Sequence, residues 1–397
     1  MKEHQIHKFS NKLLQRSVFP HLKKYISWQL GQDKFEYEAN GYSFAPLSIN
    51  LDLTTACNNQ CPFCIDKLVL NTGKILDFNY LSGLIKKWSK DGLKSVIILG
   101  GGEPTIYPDF EKVIQLLKEH GLQIGIVTNG LQMQRIENVG DLFREKDWIR
   151  LSLDAGTDET FQRLHLPRLK ITLEKILDDV SRLKKKNPKL QIGFSFLVIP
   201  GSVCSGIKLA DNLGEIFSAA QKAKESGFSY LSLKPFINFD ISRQTDFPAD
   251  RLEELKSQVK KAKEECDDEN FKVMESVNLL ALLEAKDLEN QEKCKTCHYQ
   301  FFRLAVMPDG VFICPLWRGV KLKEARIQDA NREINDEYFS ELHKNRVRAI
   351  KEFNAQKICA HSFCLPNSSN QMIDELIKNK QVREKLGPID DFNDYFL

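Results

Sequence analysis

The chain has 397 residues, 42% of them hydrophobic, which suits two or three domains with large buried cores. Its 57 Lys and Arg residues against 54 Asp and Glu leave a net charge of +3, which argues against nucleic acid or a membrane surface as the main partner. We find neither an apolar run of about 18 residues nor an apolar signal-peptide core. Ten cysteines in such a chain indicate a reducing cytoplasm and metal binding, not disulfides.

The predicted elements begin with a helical preamble over residues 1–45, where apolar residues recur at roughly helical spacing. Six strand–helix units follow in residues 46–240, because short apolar strands alternate with amphipathic stripes. The strands are predicted at 48–54, 95–99, 123–127, 148–153, 190–198 and 230–234. The helices that follow the first five are predicted near 78–88, 108–117, 131–145, 172–186 and 209–226. Such alternation indicates a parallel α/β sheet, and periodicity alone leaves open whether it is doubly wound or a barrel.

The pattern changes after residue 240. A helical linker is predicted over 241–290, with a charged, solvated helix at 249–266, a short extended stretch at 271–274 and a helix at 276–286. A further, cysteine-rich domain is predicted over 291–397. It starts with strands 302–307 and 311–313, because the turn Pro308-Asp309-Gly310 between two apolar runs is a hairpin signal. Helices are predicted at 336–353 and 370–385.

Three cysteines, Cys57, Cys61 and Cys64, lie within eight residues at the carboxyl end of the first predicted strand. Thiolates so close together are typical of a metal or redox site. Three ligands from one loop suit three irons of a cubane cluster and leave the fourth iron open to a small molecule. A zinc knuckle normally has four ligands, often including histidine, and this loop contains no histidine. The loop is therefore the predicted reaction centre.

The second predicted strand leads into Gly100-Gly101-Gly102-Glu103-Pro104. Glycines at this position let the backbone approach a ligand closely, and a glutamate at a strand end can bind an ammonium group. Taken alone, the segment could equally be an ordinary turn.

This combination of CxxxCxxC and GGE resembles the radical S-adenosylmethionine (radical SAM) enzymes. The resemblance implies a partial (β/α)6 barrel, a [4Fe–4S] cluster on Cys57, Cys61 and Cys64, and S-adenosylmethionine bound to its open iron. Gly101, Gly102 and Glu103 would hold the methionine amino group.

Other cofactor contacts are implied by the same resemblance. Asn129 and Ser152, at the ends of the third and fourth strands, would approach the ribose, sulfonium or carboxylate of S-adenosylmethionine. Phe63, the aromatic residue before the last cysteine, would contact the adenine. Asp154 could contact cofactor or substrate and is the predicted catalytic base. An ordinary turn or packing role is the alternative for these residues.

Five more cysteines form a second group, which resembles the auxiliary-cluster extensions of radical SAM enzymes called SPASM and twitch. They are Cys294, Cys297, Cys314, Cys359 and Cys364. Five are too few for two fully ligated clusters, so the single-cluster twitch pattern fits better. Cys297, Cys314, Cys359 and Cys364 are the preferred ligands, and Cys294 is the rival of Cys297. A structural Cys₄ zinc site is the alternative.

The resemblance implies reductive cleavage of S-adenosylmethionine to a 5′-deoxyadenosyl radical, with flavodoxin or ferredoxin as electron donor. That radical would abstract hydrogen from a substrate C–H bond. We expect oxidation or epimerisation of a small hydroxylated molecule, such as a sugar or aminocyclitol, in the cytoplasm. The alternatives are maturation of a ribosomally made peptide and, in another class, an iron–sulfur electron-transfer protein.

Overall fold

One β-sheet organises the fold and contains the strands predicted in residues 46–240. This computed structural model describes residues 9–32, 45–237, 247–284, 292–359 and 364–397. Its strands in chain order are β1 (Ser48–Leu51), β2 (Ser95–Ile98), β3 (Gln123–Thr128), β4 (Trp148–Ser152), β5 (Gln191–Val198), β6 (Val203–Cys204), β7 (Ile207–Lys208), β8 (Tyr230–Pro235), β9 (Lys272–Glu275), β10 (Arg303–Met307), β11 (Gly310–Phe312) and β12 (Arg326–Gln328).

The sheet is parallel over most of its width. Among the described residues its strand order is β12-β11-β10-β1-β2-β3-β4-β5-β8-β9, and β6 and β7 form a separate hairpin. Neighbouring strands from β10 to β9 are parallel, whereas β11 and β12 run antiparallel. The α/β fold with a partial barrel and a C-terminal extension is thereby confirmed. Parallel order brings the carboxyl ends of β1 to β5 and β8 to one edge, where such folds hold their chemistry.

Helices cover the outside of the sheet. They are α1 (Phe9–Leu14), α2 (Phe19–Gln29), α3 (Phe78–Lys90), α4 (Phe110–Glu119), α5 (Met133–Asn138), α6 (Asp158–His165), α7 (Leu173–Lys186), α8 (Ile216–Glu225), α9 (Leu252–Cys266), α10 (Val277–Leu283), α11 (Asp336–Glu352), α12 (Ala355–Ile358), α13 (Asn367–Lys378) and α14 (Lys380–Lys385). The helix α3 shows why they form. Asp77 caps its first turn by accepting from the Tyr80 N–H at 2.8 Å, and the apolar stripe around Leu84 is buried. The described residues contain no helix able to cross a membrane.

Several helices differ from the predictions. The helix expected at 209–226 becomes a 3₁₀ turn at Leu213–Glu215 followed by α8. The helix expected at 131–145 shortens to α5 followed by a 3₁₀ turn at Gly140–Leu142. The helix expected at 370–385 is divided, because the Asn379 side chain accepts from two backbone N–H groups and starts α14. The short, polar α6 was not predicted, and the end of the helix expected at 276–286 lies outside the described residues.

The two ends of the chain share a second core. The first two helices contribute Leu13 and Tyr25, the segment before β10 contributes Phe302, and α13 contributes Ile373. The preamble therefore packs on the C-terminal extension as well as preceding the barrel. The domain limits at residues 45, 240 and 290 stay predictions.

The final residues close the amino-terminal end of the barrel. The Phe396 ring contacts the Trp148 ring edge-on, with centroids 5.5 Å apart. Lys12 of α1 donates to the Phe396 carbonyl at 2.7 Å and pairs with Asp394 at 3.0 Å. The opposite, carboxyl end of the strands carries the predicted site.

Candidate functional site

The three-cysteine segment is part of a closed loop. An antiparallel bridge joins Thr54 to Ile75, and the Thr55 N–H donates to the Lys74 carbonyl at 2.9 Å. These contacts close the loop at its base, directly after β1. Residues 57–64 are therefore held beyond the carboxyl end of that strand, as the sequence predicted.

A buried histidine ties the loop to β4. The Cys61 sulfur lies 3.3 Å from Nδ1 of His165 on α6, and Nε2 of that ring lies 2.9 Å from the Leu153 carbonyl. The Phe63 ring contacts the same imidazole edge-on, with centroids 5.9 Å apart. The packing of Phe63 on His165 accounts for its position, and its predicted contact with adenine stays a prediction.

The thiols of this loop are half-buried. Burial raises the pKa of Cys57, and it raises that of Cys61 well above the usual range with help from the charges of its two partners. Burial and Asp66 raise the pKa of Cys64 to about 11. A bound cation reverses this preference because it stabilises the thiolate.

The loop also contains polar groups that need a partner. Asn59 is 2% exposed, and neither of its side-chain polar atoms has a hydrogen-bond partner among the described residues. The same holds for Nδ2 of Asn58. Buried polar groups are nearly always satisfied, so three thiols beside unsatisfied amides fit a polar cofactor at this loop.

The glycine segment packs backbone to backbone on the cysteine loop. A Cβ on Gly102 would lie 2.0 Å from the Ala56 carbonyl oxygen, so the approach requires glycine. Gly101 has a φ of +71° and donates its N–H to Asp66 at 3.2 Å. The two predicted cofactor-binding segments are thus in contact.

Glu103 is buried and forms the centre of a hydrogen-bond network. Its Oε1 accepts from the Thr105 N–H at 3.0 Å and from the hydroxyls of Thr105 and Thr128, each at 2.6 Å. Its Oε2 accepts from the Asn129 N–H at 2.7 Å. Burial raises the pKa of Glu103, although these hydrogen bonds oppose the shift. The carboxylate joins the ends of β2 and β3, and Oε2 retains the capacity to accept another donor.

The other predicted site residues surround the same edge. Asn129 donates from Nδ2 to Oδ1 of Asn58 at 2.7 Å, and Ser152 is half-buried at the end of β4. Asp154 has a φ of +50° and accepts from the Leu197 N–H at 2.6 Å. Its other oxygen lies 3.5 Å from Nε2 of His165. Because its carboxylate is engaged on both sides, the role of Asp154 as a base stays a prediction.

Four of the five C-terminal cysteines lie near one another. Burial, with the charges of Cys314 and Cys359 contributing, raises the pKa of Cys297 to about 12. Burial raises the pKa of Cys364 to about 12, and the charges of Cys297 and Cys314 contribute to this rise.

Arg303, at the start of β10, acts on the same group, since its charge opposes the rise in the pKa of both Cys297 and Cys364. Cys294 has different surroundings, because Asp374 and Lys378 are the strongest charges acting on it. The structure therefore separates Cys294 from Cys297.

A buried ion pair that the sequence did not reveal links the extension to the barrel. Arg318, four residues after Cys314, donates to both oxygens of Asp52 at 2.5 and 2.9 Å. Its Nη1 also lies 3.5 Å from Asp66 in the cysteine loop. Burial raises the pKa of Asp52 to about 6, against the opposing charge of Arg318.

One cavity of about 2240 Å³ connects the two cysteine groups. Phe63 and Ile65 line it from the cysteine loop, and Cys314 and Cys364 line it from the extension. Among the described residues, no three His, Cys, Asp or Glu side chains converge on a point suited to a single metal ion.

The sequence of residues 51–202 matches the profile of the Radical SAM superfamily. Residues 51–202 form a radical SAM domain. Proteins of this family bind a [4Fe–4S] cluster and S-adenosylmethionine, and the cysteine loop and glycine segment both lie in the matched region.

Curated relatives match only part of the chain. An S-adenosylmethionine-dependent nucleotide dehydratase of Thermoplasmatales archaeon (strain ISO4-H5) is 32% identical over 114 residues, which cover 27% of this chain and 38% of the relative. The mycofactocin maturase of Mycobacterium tuberculosis is 28% identical over 117 residues, 29% of each chain. The chain therefore spans well under two thirds of the length of these relatives.

Solved structures extend the likeness in fold. Streptococcus suis SuiB bound to its precursor peptide SuiA aligns with 99% of this chain and 93% of that one, at a TM-score of 0.55 and 14% identity. At this identity the likeness establishes a shared fold, including the region beyond the radical SAM domain.

Proposed function

We propose that this radical SAM protein is an oxidoreductase whose cluster is bound by Cys57, Cys61 and Cys64. The methionine end of S-adenosylmethionine would rest on Gly101, Gly102 and Glu103. The contact between the Gly102 backbone and the Ala56 carbonyl carries the proposal, since it joins the thiols to the glycine segment. Asn129 and Ser152 would complete the cofactor site from the ends of β3 and β4.

When bound, the cluster and S-adenosylmethionine supply a 5′-deoxyadenosyl radical able to abstract hydrogen from a C–H bond. The protein itself positions the substrate and excludes water and competing donors. Flavodoxin or ferredoxin is the proposed source of the electron. Phe63 and the buried His165, which contact each other, would hold the cysteine loop in place and keep the surface beside Cys61 apolar.

An auxiliary iron–sulfur cluster is proposed on Cys297, Cys314, Cys359 and Cys364. Support comes from their mutual proximity and from the shared cavity. Such a centre would take up the electron left on the substrate after hydrogen abstraction. With loss of a proton to a base, for which Asp154 is proposed, a secondary alcohol would become a ketone.

The proposed substrate is a small hydroxylated molecule of the sugar or aminocyclitol type. Support comes from the polar and charged side chains that enter the cavity from the barrel strands, among them Arg150, Ser232 and Lys234. The two positive charges favour a neutral or acidic sugar over a positively charged aminocyclitol. Hydroxyl-rich molecules need such partners.

Peptide maturation is the second candidate, favoured by the fold that this chain shares with a peptide-binding solved structure. SuiB, whose fold this chain shares, was solved with a precursor peptide. The two candidates are separated by offering the reconstituted protein sugars in one assay and precursor peptides encoded beside this gene in another. Fluorescence or mass spectrometry then shows which class of molecule is modified.

The experiment that tests the chemistry is reductive cleavage of S-adenosylmethionine. The anaerobically reconstituted protein should form 5′-deoxyadenosine with dithionite, and the variant Cys57→Ala/Cys61→Ala/Cys64→Ala should form none. Cys266→Ala, a buried cysteine on α9, is the matched control and should behave as wild type. A wild-type protein that binds both cofactors without cleavage would favour the electron-transfer alternative.

A further inference from the structure

The barrel interior contains two cationic side chains on two strands of one wall, with a third strand between them. Arg150 lies on β4, two residues before Ser152, and Lys234 lies near the carboxyl end of β8. Both are half-buried and line the cavity. Strands β4, β5 and β8 are consecutive in the sheet, so the two side chains face the same volume.

Neither cation has a carboxylate partner. Within the described part of the chain, no acidic group lies within ion-pair distance of either residue. Arg150 lies over the Trp148 ring, 5.6 Å from its centroid, and Lys234 lies 3.4 Å from the Ser195 hydroxyl. Asp154 acts on Lys234 only from a greater distance.

The two charges repel each other. The positive charge of Arg150 is the largest cause that lowers the pKa of Lys234 to about 7, and burial adds to it. Two like charges in a partly desolvated volume are unfavourable, and the repulsion is relieved either by loss of the lysine proton or by an anion that lies between them. Arginine, lysine and serine together are the donors that carboxylates and phosphates need.

We propose that Arg150 and Lys234 form a subsite that binds an anionic group of the substrate, either a carboxylate or a phosphate. The identity of the bound molecule as substrate rests on the proposed function. The subsite is distinct from the proposed cofactor contacts, because those lie at or beyond the carboxyl ends of β1 to β4, whereas Arg150 lies within β4. An anion bound there would place the rest of the substrate toward the cysteine loop.

Anion binding to the full-length, anaerobically reconstituted protein tests this proposal. Calorimetric titrations with sulfate, which represents a phosphate group, and with acetate, which represents a carboxylate, should show one saturable site for at least one of them. The tighter of the two identifies the chemical class. Arg150→Gln and Lys234→Met should each weaken that binding by about tenfold to a hundredfold, the value of one charge-assisted hydrogen bond.

Two further variants separate a specific site from a general loss of charge or fold. Lys260→Met removes a positive charge from the exposed face of α9 and should bind the anion as wild type does. Lys234→Arg keeps the charge and should restore binding. Equal affinity in wild type and Lys234→Met, or no saturable binding of either anion, would overturn the proposal.

Saturating S-adenosylmethionine distinguishes substrate from cofactor. The anion should still bind in its presence, since the cofactor contacts lie elsewhere. Competition between the two would assign the subsite to the cofactor carboxylate and overturn the proposal. Formation of 5′-deoxyadenosine by the wild type is measured separately. If anions bind but S-adenosylmethionine is not cleaved, the proposed function is wrong, and the bound anion is not a substrate group. If cleavage occurs without anion binding, only the proposed subsite is wrong.

Discussion

Glu103 combines a buried position with four accepted hydrogen bonds, so two consequences of its replacement must be separated. Glu103→Ala leaves two threonine hydroxyls and two backbone N–H groups without their acceptor. We expect it to lower the free energy of unfolding as well as cofactor affinity.

Glu103→Gln is the sharper test because it keeps the side-chain shape and one acceptor oxygen, while it removes the charge and replaces the other oxygen with an NH₂ donor. We expect its affinity for S-adenosylmethionine to fall by about tenfold to a hundredfold, equivalent to about 1.5–3 kcal/mol. Equilibrium binding to the anaerobically reconstituted protein measures the effect. Glu159→Gln, in an exposed first turn of α6, is the control. An unchanged affinity in Glu103→Gln would leave Glu103 with a purely structural role.

Lys234 makes anion binding depend on pH. A lysine whose pKa is lowered to about 7 is charged below that pH and neutral above it, so sulfate should bind more tightly at pH 6 than at pH 8. Sulfate keeps the same charge across this range. The groups that face Lys234 are Arg150 on β4, Asp154 after it, Ser195 on β5 and Tyr230 on β8 itself.

The variant Lys234→Arg isolates the contribution of the lysine, because a guanidinium stays charged throughout. We expect the affinity of this variant for sulfate to be nearly flat between pH 6 and pH 8. Protonation of Asp154 would also strengthen sulfate binding at low pH, and this pH dependence would persist in Lys234→Arg. A variant as pH-dependent as wild type would therefore assign the effect to Asp154.

At the scale of elements, the segment before β10 offers a matched pair of cysteines. Cys297 lies among Cys314, Cys359 and Cys364, whereas Cys294 lies beside Asp374 and Lys378. We expect about eight irons in the reconstituted wild type and in Cys294→Ala, and about four in Cys297→Ala. Iron and zinc analysis measures this. Four irons and one zinc in the wild type would establish the zinc alternative and remove the electron-acceptor role.

The link between β1 and the extension is a second feature at this scale. Arg318→Met would leave Asp52, which is 2% exposed, as a buried carboxylate without its partner. We expect the free energy of unfolding to fall by about 3–5 kcal/mol. Arg332→Met breaks an exposed pair with Glu341 and should cost no more than about 1 kcal/mol. Chemical denaturation of both variants makes the comparison, and equal losses would show that the Arg318 pair contributes no more than a surface pair.

For the whole molecule, hydrophobic periodicity was sufficient to predict the strands of the barrel, but it could not predict how the C-terminal extension joins the barrel. The six barrel strands were predictable because fully apolar runs such as Val96–Ile98 alternate with amphipathic helices, and the spacing of Cys57, Cys61 and Cys64 is local information. The parallel pairing of β10 with β1 joins residues 48–51 to 303–306, and no local pattern records a partner so distant in sequence.

Side-chain roles that depend on tertiary contacts were also beyond the sequence. His165 was a lone histidine on a short, unpredicted helix, and Arg318 was one basic residue among many. Their meaning comes from contact with Cys61 and Asp52, which the fold alone brings about. The cationic pair Arg150 and Lys234 likewise becomes visible only when β4 and β8 lie in one wall.

The pairing of β1 with β10 has a consequence for the timing of electron movement. Backbone hydrogen bonds hold these strands in register from Ser48 opposite Arg303 to Leu51 opposite Val306. The cysteine loop follows the first strand, and Cys297, Cys314 and Cys364 lie close enough to the start of the other for their charges to act on Arg303. The gap between the two groups is thus set by a sheet and not by a tether. An electron crossing it would meet the same distance in every molecule, so its transfer should follow one rate constant instead of a spread of rates.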